Sequence, residues 1–459
     1  MGKRVDMKRA SEILAEFIEK TNYSELPGDV VNEVKRRLLD VIGVCLAGAM
    51  TDAGRKITNF VQDLKSNDEA TIIGSKQKAS SYYAALANAS MGFHLELDDV
   101  HRTSHTHPGI TTIPTALALG EKLGSSGKEL IAAINAGYET EIRIGIALSP
   151  SIFLDRVFLP CSLLGSFGAG ATACKLLRLG RTEIDGALGN IATLTPISIF
   201  ESYKSGTLAK EFMMGWSNSV GITSALMTKN DILGPKLAIE GTLGFAKAAA
   251  DKFDLSRIAE NDGFSSGIKN TGIKPYACCR QHHTAIDATL ELLNKHTLKP
   301  EKIEKIIDRT FSVATRGNEI APRTIAEAKY SAPYIISVAL LEGKVWREQF
   351  SSEKIKDPNL LRLAKKVEVI LDPDLDKLYD QKWPSIVEVW TTDGNMFSAR
   401  CDLPKGEPEK PLTDREIQEK FISLATDKIS EKRAKEIADI TWNIEQINDV
   451  RELTLLFKE

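Results

Sequence analysis

The hydrophobic rhythm of this chain changes once at about Ile303 and changes back after Leu412, and that double switch restricts the fold more than any other feature. Up to about residue 270 the apolar residues recur at helical spacing. Ile13, Leu14, Phe17 and Ile18 form one stripe, and Val30, Val31, Val34, Leu38, Val41 and Ile42 continue it after the Leu26-Pro27 break. Alanine-rich runs follow at Tyr82 to Ser90, Thr111 to Leu123 and Glu129 to Ala147, and their small side chains suit close helix packing. From Ile303 the segments become β-branched: Ile303 to Ala314, Val367 to Leu371, and Ser385 to Thr392 joined through Asp393-Gly394 to Met396 to Asp402. Asp-Gly between alternating runs is a hairpin signal. Helical patterns at Thr284 to Leu293 and Ala332 to Leu341 lie among these strands. Leu403 to Leu412 reads as a Pro-rich linker, after which Thr413 and Glu416 offer a capping box and helices resume. The expected fold is α+β, mainly α: a helical domain of residues 1–270 and 410–459, interrupted by an α+β insertion at 271–409.

With 459 residues there is ample length for a large core, and 59 Lys plus Arg against 62 Asp plus Glu leave a formal charge of −3. No global field recruits nucleic acid or an anionic membrane, so an anionic ligand must meet local cations. Six scattered cysteines give neither a disulfide framework nor zinc spacing; the adjacent Cys278-Cys279 pair reads as packing. The opening MGKRVDMKRASEILAEF has no signal-peptide apolar core, and no run of about 18 apolar residues occurs. These features predict a soluble protein of a reducing cytoplasm.

The segment LDDVHRTSHTHP, Leu97 to Pro108, places two carboxylates and three of the seven histidines within twelve residues. Each such side chain is costly to bury alone, and a carboxylate beside an imidazole moves its pKa into the range useful for proton transfer. His101, His105 and His107 read in three ways: as metal ligands with Asp98 or Asp99, as groups facing a substrate carboxylate at the start of the next helix, or as structural histidines. A second dense segment, KPYACCRQHHTAID, carries Lys274, Arg280, His282 and His283. Lys210 sits among small and apolar residues, where it either snorkels to water or projects into a cleft as a fixed charge. GSFGAG, ending at Gly170, has no β-branched strand before it and reads as helix packing rather than a dinucleotide loop.

Taken together, LPGDVVNEVKRRLLDVIGVCLAG, LDDVHRTSHTHPG, KEFMMGWSNSVG, GPKLAIEGTLGF, KPYACCRQHHTAIDA and AKYSAPYIISVALLEGKV resemble the MmgE/PrpD family over nearly the whole chain. The family includes 2-methylcitrate dehydratase, cis-aconitate decarboxylase and iminodisuccinate epimerase. The resemblance implies a large all-helical domain, a smaller α+β lid, a homodimer, a site at the domain interface, and no metal or organic cofactor. It also implies a lyase or isomerase acting on a small carboxylate. Carried over by motif, the catalytic candidates are Asp98, His101, His107, Lys210 and His283; Lys274, Arg280 and Tyr330 are separate candidates for binding the substrate carboxylate. Where decarboxylases and many dehydratases of the family carry a histidine in a Gly-Phe-His or Gly-Trp-His context, this chain has Val157-Phe158-Leu159. Leucine exchanges no proton.

Overall fold

The computed structural model describes residues 8–260 and 266–458; the first seven residues, part of the stretch that bears on a signal peptide, lie outside the described residues. The helical patterns of the first half become helices at Ala10–Lys20, Gly28–Ala49, Ser81–Phe93, Pro108–Leu123 and Gly127–Leu148. Each begins or ends for a local reason. The Ser126 side chain accepts the Glu129 N–H, and the Glu129 carboxylate accepts in return from the Ser126 N–H, so the box fixes the start of Gly127–Leu148. Gly124, at φ 64°, terminates Pro108–Leu123 in the left-handed region.

The GSFGAG run lies inside the helix Pro160–Leu176, as the packing interpretation expects. That helix is the axis of the helical part and touches Gly127–Leu148, Pro108–Leu123, Arg181–Leu194 and Ala209–Lys229. Its glycines are used for backbone contact: a Cβ on Gly221 of Ala209–Lys229 would stand 2.5 Å from the Gly170 nitrogen. Any larger residue there would force the two helices apart.

Four strands form one mixed sheet in the order Val367–Leu371, Ile303–Thr310, Ser385–Thr391, Met396–Cys401. The first pair is parallel and the other two are antiparallel, with Gly394 at φ 82° in the predicted hairpin turn. Ile306, Val367, Val387, Val389 and Ala399 point to one face and bury against Ala288, Leu292, Ile336 and Leu340 of the helices His283–Lys295 and Ala332–Glu342. The chain is therefore α+β and mainly α. Among the described residues no helix is long and apolar enough to cross a membrane.

After the sheet the chain returns to the helical part. Asp414–Ala425, capped by the Thr413 and Glu416 box, packs on Gly28–Ala49, as does Glu431–Trp442. Leu403 to Leu412 is more than a linker. The Ile273 N–H donates to the Gly406 carbonyl at 2.9 Å, and Glu407 is buried against Arg280 and Arg102. Proline content marked the irregular backbone there, but not that its acidic side chain is drawn inward by two guanidinium groups.

Candidate active site

The two dense segments meet because they are stitched together. Val100–His101 pairs antiparallel with Thr271–Gly272, which sets the loop of Asp98 beside the backbone of Lys274. Lys420, from Asp414–Ala425, holds the same junction from below. Its ammonium donates to the Leu97 carbonyl at 2.7 Å and the Lys274 carbonyl at 2.9 Å, and pairs with Asp40 at 2.6 Å. Burial first, against Lys420 in the opposite sense, pushes the Asp40 carboxyl up to about 6. Lys420→Met is expected to cost about 2 kcal/mol in chemical denaturation, less than the usual loss from a broken buried pair, because Asp40 escapes by taking a proton. A carboxyl with a raised folded pKa contributes stability below its unfolded pKa and loses it as pH rises through the folded one. The deficit should therefore widen above about pH 6; a deficit that is flat across pH 5 to 8 would contradict this.

Above that floor the charged groups form a continuous chain. Lys210 pairs with Glu96 Oε1, Lys274 lies 3.2 Å from Glu96 Oε2 and 3.4 Å from Asp98 Oδ1, and Asp98 Oδ2 is 2.6 Å from His107 Nδ1. Lys210 does not snorkel: it is buried, with its ammonium 4.9 Å from the Phe93 ring centroid. Burial opposes both lysine charges, but Glu96 for Lys210 and Asp98 with Glu96 for Lys274 outweigh it and raise both above the ordinary lysine value. The same balance, burial overcome by Lys210 and Lys274, holds the Glu96 carboxyl well below its usual range. Both amines are thus kept as ammonium ions.

His107 is the residue immediately before Pro108–Leu123. Because Asp98 accepts at Nδ1, the Nδ1–H tautomer is fixed and Nε2 carries the basic lone pair. Its neighbour Asp99 accepts the Gly109 N–H at 2.9 Å and the Tyr138 hydroxyl at 2.6 Å. A Cβ on Gly109 would stand 2.6 Å from Asp99 Oδ1, so the glycine of the His-Pro-Gly turn is required for this close approach.

The three clustered histidines separate. His101 Nδ1 accepts from the Ser104 N–H at 3.2 Å and lies 2.7 Å from its hydroxyl, and burial pushes its pKa down to about 3. His105, lowered to about 4 by burial, shares a hydrogen bond with the Tyr379 hydroxyl and stacks on Phe153 and Trp383. Only His107 meets a carboxylate. His283 is buried with both ring nitrogens engaged: Nδ1 accepts from Arg280 Nη1 at 2.9 Å, and Nε2–H donates to the Cys278 carbonyl at 3.2 Å. Burial, then Arg280 and Lys274, hold it well below the ordinary histidine value, so it is neutral and orients the guanidinium.

A cavity of about 70 Å³ opens against this network. Of the sequence candidates, His107, Lys274, Arg280 and Tyr330 line it; Lys210 and Asp98 stand one residue behind the wall, and His101 and His283 are further scaffold. Leu159, at the start of Pro160–Leu176, lines it too, with Phe153, Phe200 and Trp383. Sequence reasoning passed over Glu96, Glu407 and Trp383. Glu96 had a signal, since it alternates with Asp98 in the run ahead of the histidines; Trp383 had none.

The model of the MmgE/PrpD N-terminal domain matches residues 12–258, and that of the MmgE/PrpD C-terminal domain matches residues 276–446. This chain belongs to the MmgE/PrpD family. Relatives include cis-aconitate decarboxylase of Mus musculus, 25% identical over 98% of this chain and 94% of that protein. The Homo sapiens cis-aconitate decarboxylase is 26% identical over 98% and 95%. A cis-aconitate decarboxylase-like protein, oryM, of Aspergillus oryzae is 24% identical over 96% of each. As a MmgE/PrpD protein, the chain places its C-terminal domain match across both the sheet and the helices Asp414–Ala425 and Glu431–Trp442 that return to Gly28–Ala49. The cavity lies where residues of the two matched regions, His107 and Arg280 among them, come together.

Proposed function

We propose that this protein is a cofactor-independent MmgE/PrpD lyase that moves a proton α to a carboxylate of a small di- or tricarboxylic acid. The reaction named first is 2-methylcitrate-dehydratase-like. Cis-aconitate-type decarboxylation and iminodisuccinate-type epimerisation are the alternatives. The observation that carries the reading is His107, held by Asp98 at 2.6 Å, on a cavity wall shared with Lys274. His107 Nε2 takes the α-proton, Asp98 stabilises the imidazolium, and the Lys274 ammonium meets the enediolate charge that develops on the substrate carboxylate. Lys210 supports that charge through Glu96. Arg280 is a binding group oriented by Glu407 and His283, and Tyr330 closes the far wall. With leucine at 159, the imidazolium of His107 is itself the acid for the second half of the reaction. The leucine counts more against the dehydratase and decarboxylase alternatives than against the epimerase, which needs only two opposed proton-transfer groups.

The test is proton NMR in deuterated buffer with citrate-like, aconitate-like and aminodicarboxylate acids. Loss of water or carbon dioxide identifies a lyase, and deuterium wash-in without net conversion identifies epimerase chemistry. Absence of exchange and of turnover across the panel would overturn the proposal.

The same interpretation treats residues 271–409 as a lid over the body formed by 1–270 and 410–459, and the chain as a homodimer. Support for the dimer comes from the apolar side chains left in water between 197 and 243: Ile197, Ile199, Ile232, Leu233, Leu237 and Leu243, the last 99% exposed. Light scattering at micromolar concentration should give twice the 50.4 kDa chain mass, and a 50 kDa particle would refute it.

A further inference from the structure

We propose that Arg316 binds a second carboxylate of the substrate, remote from the reacting carbon, and so selects di- and tricarboxylic acids over monocarboxylic ones. This rests on the proton-transfer function proposed above and names the group that completes substrate binding at that site. On the His107 side the cations are already committed. Lys274 meets Glu96 and Asp98, and Arg280 meets Glu407 at 2.6 and 2.9 Å. The third Arg280 nitrogen, Nη1, is taken by His283 and the Lys405 carbonyl. An ammonium has three donors, and Glu96 and Asp98 use two of Lys274's, so this side offers one strong donor, enough for one carboxylate. A second carboxylate buried beside the first would lack a cation of its own.

Arg316 supplies that cation at the other end. Its Cζ lies 5.4 Å from the centroid of the Phe153 ring, which lines the cavity. A guanidinium resting on a ring keeps its in-plane N–H groups for a carboxylate. The turn Ala314–Arg316 that carries it is pinned to the same wall. The Ala332 N–H donates to the Gly317 carbonyl at 2.8 Å, and a Cβ on Gly317 would stand 2.3 Å from the Tyr330 carbonyl oxygen. The His107 cavity, about 70 Å³, shares Phe200 and Tyr330 with a second cavity of about 740 Å³ that Arg316 lines. The far end of an acid held at Lys274 therefore passes these rings toward the guanidinium. Arg156, Arg316 and Arg323 line the second cavity together with Glu201, Glu319 and Glu327, so the cavity as a whole has no excess of positive charge to draw an anion. Its arginines differ in their pairing. Arg156 meets Asp251 at 2.8 Å and Arg323 meets Glu327 at 3.4 Å, whereas Arg316 meets no carboxylate among the described residues.

The deciding comparison is between glutarate and glutaramate. Both have the five-carbon backbone of citrate-like and aconitate-like acids, and they differ only in whether one end is a carboxylate or its neutral amide. Isothermal titration of the wild-type protein is expected to show glutarate binding at least about 10-fold more tightly, the size of one charge-assisted hydrogen bond. Arg316→Gln should bring that ratio to about twofold or less, a change that a general loss of packing, acting on both ligands alike, would not produce. Arg156→Gln and Arg323→Gln should leave the ratio within about twofold of wild type, because their guanidinium groups are already paired. A wild-type protein that fails to prefer glutarate overturns the inference whether or not any variant folds. So does a folded Arg316→Gln protein that keeps the wild-type ratio, and so does collapse of the ratio in Arg156→Gln or Arg323→Gln. Binding is read apart from exchange, so the two proposals fail separately. Proton exchange on the acid panel without a preference for glutarate sinks this one alone. The preference and its loss in Arg316→Gln, with no exchange on any acid, sink the proton-transfer reading alone.

Discussion

Replacing His107 with glutamine is expected to lower α-proton exchange by about 10²- to 10⁴-fold while substrate affinity stays within about threefold. Glutamine keeps a polar side chain of similar reach and can still hydrogen-bond Asp98, so the cavity wall is preserved and only the basic nitrogen is lost. Asp98→Asn should approach the same loss by a different route. The amide removes the negative charge that stabilises the imidazolium and allows the ring to invert its tautomer, which in a comparable aspartate–histidine pair costs about 10⁴ in rate. The pair should not be additive, since both changes disable one unit. Stopped or slowed deuterium wash-in at saturating acid, with titrated affinity alongside, makes the measurement. A His107→Gln protein that keeps more than a tenth of the wild-type exchange rate would show that another group is the base.

Lys274→Met should be the most damaging single substitution for stability, by about 3 to 5 kcal/mol. Methionine fills much of the space of the lysine stem, so the loss is electrical rather than a cavity. Glu96 and Asp98 are buried, and each is lowered in part by this ammonium acting against burial. Without it they face each other across a dry site with Lys210 alone on the far side. The contrast with Lys420→Met is informative, because Asp40 is poised to take a proton and Glu96 is not. Adding Glu96→Gln to Lys274→Met should recover part of the stability and none of the exchange activity. If urea denaturation places Lys274→Met within 1 kcal/mol of wild type, the charged chain from Lys210 to His107 is not a coupled network.

The contrast between Gly127–Leu148 and Glu407 shows where sequence patterns carry and where they stop. A helix with its own cap, small residues for close neighbours and an apolar stripe is specified within about twenty residues, because its hydrogen bonds are local and its cap lies in the same segment. The hairpin at Asp393-Gly394 is equally local, and its φ of 82° is one that glycine adopts without strain. The double change of rhythm likewise marked the sheet, and motif resemblance marked the loops of Asp98 and Lys274 as functional. Their contact was a different matter. It depends on the pairing of Val100–His101 with Thr271–Gly272, two residues on each side, too short a pattern to register in any window.

Roles within the dense segments were also beyond local reading. His101, His105 and His107 are chemically identical in the sequence and sit within seven positions of one another, yet one meets Ser104, one Tyr379 and one Asp98. His283 looks like a base in a row of polar residues, but Arg280 one turn earlier occupies its Nδ1. A histidine is suited to act as a base when one nitrogen is held by a carboxylate and the other faces a cavity; Asp98 is only nine positions from His107, but the cavity is formed by the space between elements. Helices, strands, turns and the catalytic residue types were therefore written in the chain order, since each answers to neighbours a few positions away. Which imidazole meets a carboxylate and which lysines are paired were settled by folding alone, because burial and pairs such as Lys210–Glu96 and Lys274–Glu96 join residues more than a hundred positions apart.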